Sequence, residues 1–233
     1  MCVLTRGWHD AFISAEYELH AAGNVVRRFH YDRASLEESH VAADPFVQFK
    51  LWLDEAIASE SIVEPTAMTL ATVDAAGRPS ARIVLLRVYD ERGFAFFTNY
   101  ESRKGREIAA TGWAALVFWW GALERQVRIR GSVEQLTPSE SDAYFMQRPR
   151  GHRLGAWASR QGAVVPDRAY LEESMRLREE QFAGREVDRP PYWGGYRVAP
   201  DSFEFWQGRR DRMHDRIAYE QEGSGWRIAR LSP

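Results

Sequence analysis

Apolar and polar positions fall into three regimes along the chain. Phe46, Phe49, Leu53 and Ile57, with Trp52 beside them, recur at helical spacing behind Asp44 and Pro45. An N-cap residue followed by proline at the first helical position predicts an amphipathic helix there. From 66 to 136 the period shortens to that of strands: TAMTLATV, SARIVLLRVY, GFAFFTN, WAALVFWW and ERQVRIRGSVEQL are rich in β-branched and aromatic residues. AAGRP at 75–79 and DERG at 90–93 read as tight links, and SRKGREIAA at 102–110 as a short helix. After Thr137-Pro138 the spacing turns helical over 138–147 and 167–183, and Pro190-Pro191 ends the second helix. Three more strands follow, WGGYRVA, SFEFWQG and, after a polar loop, RIAYEQ, with GWRIARL a candidate hairpin partner of the last across EGSG. Residues 1–26 show no sustained period and are expected to form a mobile extension without chemistry of its own. The expectation is a single α+β domain over 27–233, an antiparallel barrel with inserted helices.

Composition narrows the partners. At 233 residues, 45% hydrophobic, the chain is long enough for one substantial core. Its formal net charge of -2 gives no overall field for nucleic acid or an anionic membrane, so any basic site is local. The single cysteine, Cys2, excludes an internal disulfide and a cysteine-based metal site and fits a reducing cytoplasm. No metal is expected. WAALVFWW, the longest apolar run, is far too short for a membrane-spanning helix. Lys50 and Lys104 are the only lysines among 31 basic residues. Dinucleotide fingerprint, P-loop, HExxH and GxSxG motifs are absent.

Five segments carry candidate chemistry. TNYESRKGR at 98–106 places Arg103 and Lys104 in the first helical turn behind Ser102. The helix macrodipole disfavours cations there, so they suit a bound phosphate or, on the plainer view, a solvated helix start. In RIVLLR at 82–87, strand alternation puts Arg82 with Val84 and Leu86 on one face and Arg87 with Ile83 and Leu85 on the other. Each arginine then needs an anion, either a ligand phosphate or a local carboxylate. LERQVRIRG at 123–131 aligns Glu124, Gln126, Arg128 and Arg130, a polar face for a heterocycle inside a barrel or for solvent outside it. YFMQRPRGHRLGAWASRQG at 144–162 gathers Tyr144, Arg148, Arg150, His152 and Arg153, either a phosphate clamp or a basic loop. In WQGRRDRMHDR at 206–216, an extended backbone would set Arg212, His214 and Arg216 on one side behind Trp206, a grouping of donors best explained by a ligand.

In this order the segments RIVLLR, FFTNYESRKG, LERQV, YF..RPR....GAWAS.Q, EFWQG...R.HDR and the terminal RL.P resemble the pyridoxine 5'-phosphate oxidase family of FMN-binding split barrels, over about residues 28–233. The resemblance implies FMN contacts at Arg82, Ile83, Val84, Leu85, Phe97, Thr98, Arg103, Lys104, Gln126, Gln161, Gly162, Trp206 and Arg216, in a site at a homodimer interface. It implies that Arg87, Tyr144, Arg148 and His152 hold the substrate phosphate. Arg212 and His214 would lie at the substrate ring as the catalytic pair, and Arg28 and Tyr31 in a lid near 28–31. Three positions depart from the family pattern: Arg87 stands for Lys, His152 for Ser and Gly162 for Ser.

The implied activity is oxidation of pyridoxamine or pyridoxine 5'-phosphate to pyridoxal 5'-phosphate, with hydride passing from C4' to flavin N5 and dioxygen becoming hydrogen peroxide. The departures at Arg87 and His152 motivate an alternative, a phenazine-pathway-like oxidase without need of the phosphate clamp. A non-catalytic flavin or tetrapyrrole binder is a third reading that leaves Tyr144, Arg148, Arg212 and His214 unexplained.

Overall fold

A computed structural model describes residues 16–19, 25–28 and 30–233. Two short strands, β1 (Glu16–Leu19) and β2 (Val25–Arg28), pair antiparallel. Apart from them, the expected extension over 1–26 lies outside the described residues. The helix α1 (Pro45–Ala58) starts where the sequence marks it, with the Asp44 carboxylate accepting the Phe46 N–H at 2.8 Å. Its buried face is Phe49, Trp52, Leu53 and Ala56, whereas Ile57, expected on that stripe, is exposed because Ala56 takes the inward position in the last turn.

The barrel strands are β3 (Ala67–Val73), β4 (Pro79–Leu85), β5 (Val88–Asp90), β6 (Gly93–Asn99), β7 (Trp113–Trp120), β8 (Arg125–Gln135) and β9 (Trp193–Gln207). All pairings are antiparallel, in the order β4-β3-β7-β8-β9, and β6 closes the circuit by pairing with β9 on one side and β5 on the other. The segment read as one strand over 80–89 is two. At Leu86 and Arg87 the chain changes partners: Leu86 N–H donates to Thr66 C=O and Arg87 N–H to Ala95 C=O. Conversely, WGGYRVA and SFEFWQG form the one long strand β9. A register shift at Arg130/Gly131 lets β8 follow β9 round the curve, and a Cβ on Gly131 would lie 1.9 Å from the Ala199 carbonyl oxygen. β10 (Asp215–Glu222) and β11 (Gly225–Arg230) extend the sheet beyond β9 as the expected hairpin.

Aromatic residues fill the barrel. Phe49 of α1 meets Phe94 at 4.8 Å and Phe118 at 5.1 Å, with Phe203, Phe205 and Tyr219 buried behind them. The polar face of β8 points away from this core: Val127 and Ile129 are inward, while Arg128 and Arg130 lie outside, paired with Glu204 and Asp201. Glu124 leaves the strand face altogether, in a left-handed turn at φ 55°.

The helix α2 (Arg103–Thr111) bridges β6 and β7. Helices α3 (Pro138–Gln147), α4 (Arg150–Ala158) and α5 (Arg168–Gln181) pack on the start of β9 through Phe145, Leu154, Phe182 and Trp193. Part of the segment open to being a basic loop is thus the helix α4. Pro149 occupies the cap, where its missing N–H removes no intrahelical bond, and burial of Leu154 offsets the weak propensity of Gly151 and Gly155. No helix of the described residues is long and apolar enough to cross a membrane.

Candidate active site

Where the chain switches from β4 to β5, a cleft of about 700 Å³ opens between this strand, the end of β6, the start of α2 and the α3–α4 corner. Of the residues expected at a site, it brings together Arg82, Ile83, Val84, Leu85, Arg87, Phe97, Thr98, Lys104, Tyr144, Arg148, His152 and Gln161. Four of these are cations, and the lining holds no carboxylate.

The cations form two electrostatic pairs. Lys104 reaches the cleft from the first turn of α2, where Ser102 caps the helix by accepting the Gly105 N–H. Its ammonium donates to Thr98 Oγ1 at 3.2 Å and Gln161 Oε1 at 2.9 Å, and Thr98 donates to the same amide oxygen at 2.9 Å. Burial, then the neighbouring Arg82 charge, pushes the Lys104 pKa below its ordinary value against the opposing pull of Glu107. Arg148 is the other buried cation, lying 4.6 Å over the Trp193 ring. Burial pulls its pKa down, and Arg87 adds to this against Tyr144. Its Nη1 is buried without a hydrogen-bond partner. Tyr144 stacks on Phe97 at 3.7 Å, and both lie parallel to Trp193, giving the cleft a flat aromatic wall.

Arg82 is braced from below by Glu107, a residue the sequence reading passed over. Glu107 is 4% exposed and accepts from Thr72, Ser80, Arg103 and Arg82. Burial alone would raise its pKa. The Ser80, Thr72 and Arg103 donors outweigh burial and hold the carboxyl at about 2. The one available signal was the i,i+4 spacing of Arg103 and Glu107. That bridge turns Arg103 away from the main cleft to a neighbouring depression, and Gly162 lies in an exposed turn at φ 88° outside the cleft lining. Gln147, Pro149 and Trp193 also line the cleft and carried no distinguishing pattern in the sequence.

Gln126, Trp206, His214, Arg216 and Tyr31 form a second cluster outside the cleft lining, at the β8–β9–β10 end. Gln126 is opposite Trp206, Trp206 is opposite Arg216, and the His214 ring lies 4.6 Å from Trp206. Tyr31 meets Trp206 and His214 edge-on, both at 5.7 Å. Arg216 is gripped by Glu204 at 2.8 Å. The segment 212–216 is not extended as supposed: Arg210–Arg212 forms a single tight turn with Asp211 and Arg212 at φ 55° and 60°, so strand alternation does not place Arg212. Arg28 ends β2, and its side chain lies outside the described residues. Burial, then the Arg212 charge, lowers the His214 pKa, with Asp215 opposing.

A split antiparallel barrel with a basic, carboxylate-free, aromatic-walled cleft defines a binder of a flat, phosphate-bearing ligand. The family model described as pyridoxamine 5'-phosphate oxidase matches residues 53–181, and that of the pyridoxine 5'-phosphate oxidase C-terminal dimerisation region matches 193–233. The chain is 55% identical over 203 residues to a pyridoxine/pyridoxamine 5'-phosphate oxidase of Cyanothece sp., covering 87% of this chain and 95% of that one. It is 57% identical over 209 residues to the enzyme of that name from Burkholderia multivorans, covering 88% and 97%. Among solved structures it is similar to PhzG of Burkholderia lata 383, determined with tetrahydrophenazine-1-carboxylic acid: TM-score 0.79, 34% identity, 84% of this chain and 95% of that one. A pyridoxamine 5'-phosphate oxidase-related FMN-binding protein from Nostoc punctiforme shares the fold at TM-score 0.65 and 17% identity, over 83% of this chain and 100% of that one. The chain belongs to the pyridoxamine 5'-phosphate oxidase family of oxidoreductases, and FMN is its cofactor. The cleft fits that group: Lys104 at the start of α2 and Arg82 of β4 beside it supply cations for a phosphate, and the orphaned Arg148 Nη1 leaves a second anion position.

Proposed function

We propose that the protein is a cytoplasmic, homodimeric FMN-dependent oxidase that converts pyridoxamine 5'-phosphate and pyridoxine 5'-phosphate to pyridoxal 5'-phosphate, with dioxygen as acceptor. The observation that carries this is the double pair of cations in a cleft without a carboxylate, which suits two phosphates, one of the cofactor and one of the substrate. Lys104, Arg82, Thr98 and Gln161, with the strand Ile83, Val84 and Leu85 and the Phe97 wall, hold FMN. Arg87, Tyr144, Arg148 and His152 hold the substrate phosphate. Arg103 and Gly162 are assigned supporting places beside the FMN site.

The second cluster, Gln126, Trp206, Arg212, His214 and Arg216 with Tyr31 and Arg28 as lid, completes the site across the dimer from the cleft of the other protomer. The match to a dimerisation region over 193–233, the part of the chain bearing most of this cluster, supports that arrangement. When bound, FMN supplies the two-electron acceptor that takes hydride from the substrate C4' carbon and passes the pair to dioxygen, giving hydrogen peroxide. The chain's own work is orientation. Arg148 and Arg87 fix the phosphate and hence the register of the ring. His214, whose Nδ1 accepts the Arg209 N–H at 3.0 Å, carries its proton on Nε2 and offers a donor to the ring beside Arg212.

The likeness to PhzG favours a second reading, an oxidase of a reduced phenazine carboxylate. The purified holoprotein is given pyridoxamine 5'-phosphate, pyridoxamine and a tetrahydrophenazine carboxylate under air, with aldehyde and peroxide measured. We expect turnover that depends on the 5'-phosphate. Equal rates with and without it, or turnover of the phenazine alone, would contradict the proposal.

A further inference from the structure

Asp215 is not among the residues assigned above, yet it ties together three segments that flank the second cluster. It is the first residue of β10, paired with Gln207 of β9, and is 8% exposed. Strand alternation turns its side chain away from that of Arg216. Its Oδ2 accepts the Leu36 N–H at 3.0 Å and the Arg209 guanidinium at 3.0 Å, and its Oδ1 accepts the Arg230 guanidinium at 2.8 Å. Burial opposes ionisation, but these donors outweigh it and keep the carboxyl below its usual range.

Arg209 is held at both ends. Its side chain binds Asp215, and its backbone N–H donates to His214 Nδ1 at 3.0 Å. Between these residues the chain passes through Asp211 and Arg212 in the left-handed region, a conformation that non-glycine residues keep only where the surroundings impose it. The His214 ring is wedged against Trp206 and Tyr31, and the charged or titratable groups around it are Arg209, Arg212, Asp215 and Tyr31, with Glu124 acting on Tyr31. On the far side, Arg230 binds Glu37, Glu38 and the Leu36 carbonyl as well as Asp215, tying residues 36–38 to the same carboxylate.

We infer that Asp215 is a positioning residue that, through Arg209, locks the 209–214 turn so that His214 presents a single tautomer, with Nε2–H toward the substrate. Without the Asp215 charge the Arg209 side chain loses its anchor, the N–H that defines the ring's tautomer drifts, and the imidazole samples the opposite tautomer. That tautomer offers Nε2 as an acceptor where a donor is required. The effect falls on turnover more than on cofactor binding, because Lys104 and Arg82, assigned to the cofactor phosphate, lie in the other cluster and the β9–β10 pairing of Trp206 with Arg216 does not depend on the Arg209 tether. The consequence for turnover rests on the functional reading above. The tautomer itself does not.

The test uses holoprotein labelled with ¹⁵N-histidine, with the His214 signal identified by its loss in His214→Gln. In the wild type we expect a single neutral tautomer protonated on Nε2. In Asp215→Asn we expect the two ring nitrogen shifts to move toward each other as the tautomers mix. We also expect a fall in kcat of about tenfold from loss of orientation, with FMN affinity within about twofold of wild type. Arg209→Gln keeps the backbone N–H while cutting the tether, and gives the same pair of changes should Asp215→Asn fail to fold. An unmixed tautomer in the variants, or a mixed one with unchanged kcat, overturns the assignment. A wild type that shows the Nε2–H tautomer but does not oxidise pyridoxamine 5'-phosphate overturns the substrate reading, and the tautomer comparison between wild type and variants still decides the role of Asp215.

Discussion

Glu107 shows how much a single buried carboxylate organises. Four donors from β3, β4 and α2 converge on it, and two of them, Arg82 and Arg103, belong to the residues expected around the flavin. Removing Glu107 leaves the half-buried Arg82 guanidinium without its carboxylate and the Thr72 and Ser80 hydroxyls without a buried acceptor, so Glu107→Ala should destabilise the fold by about 2 kcal/mol in urea unfolding. Its folded pKa of about 2 lies below the ordinary 4.5. The stabilisation is therefore complete above pH 4.5 and drains away as pH falls toward 2, because the unfolded chain binds the proton first. Glu107→Gln should lose less stability than the wild type across that interval, and equal acid sensitivity of the two would show that the carboxylate does not carry the effect. Little of this was legible beforehand. Glu107 looks like one exposed acid among many until α2 is docked on β3, whereas Lys104 and Arg103 announce themselves by sitting at a helix N-terminus.

At the level of elements, the sequence identified those whose hydrophobic period and caps agree: α1, α2, the barrel strands and the final hairpin all start within a few residues of their expected places. It failed where tertiary contacts overrule local signals. The break at Leu86 and Arg87 has no turn residue to mark it, since it arises when one continuous apolar ribbon exchanges β3 for β6. α4 is hidden by its glycines, and the turn over 210–212 by residues that read as extended. The start of α2 is held close against its neighbours. A Cβ on Gly105 would lie 2.0 Å from the Tyr100 carbonyl oxygen, so Gly105→Ala must push Lys104 and the helix start off β6. We expect a stability loss of about 2 kcal/mol by thermal or urea unfolding and protein purified largely without flavin. Normal flavin content would mean that the helix start does not hold the phosphate.

For the whole molecule, one chain presents the candidate residues as two separated halves, the cleft at β4–α2–α3 and the cluster at β8–β9–β10. The sequence named these candidates but not their division into two groups, because spacing along strands carries no information about which strands curl together. On the outer sheet face near the cleft one large apolar side chain is exposed: Ile83, 64% exposed, lies opposite Thr69, which lies opposite Val117. On the proposed dimer a second protomer covers this face, and Ile83→Asp, which also alters the cleft lining, probes that contact through the oligomeric state alone. We expect the variant's own fold to change by less than about 0.5 kcal/mol, since the side chain is exposed in one chain. In light scattering after gel filtration it should run as a monomer. A dimeric variant would place the interface elsewhere. The most direct test of the central claim is anaerobic titration of the flavin-loaded protein with pyridoxamine 5'-phosphate, followed by the visible absorbance of the flavin. The account predicts bleaching with this compound and little with pyridoxamine at the same concentration, and bleaching that ignores the phosphate, or none at all, would contradict it.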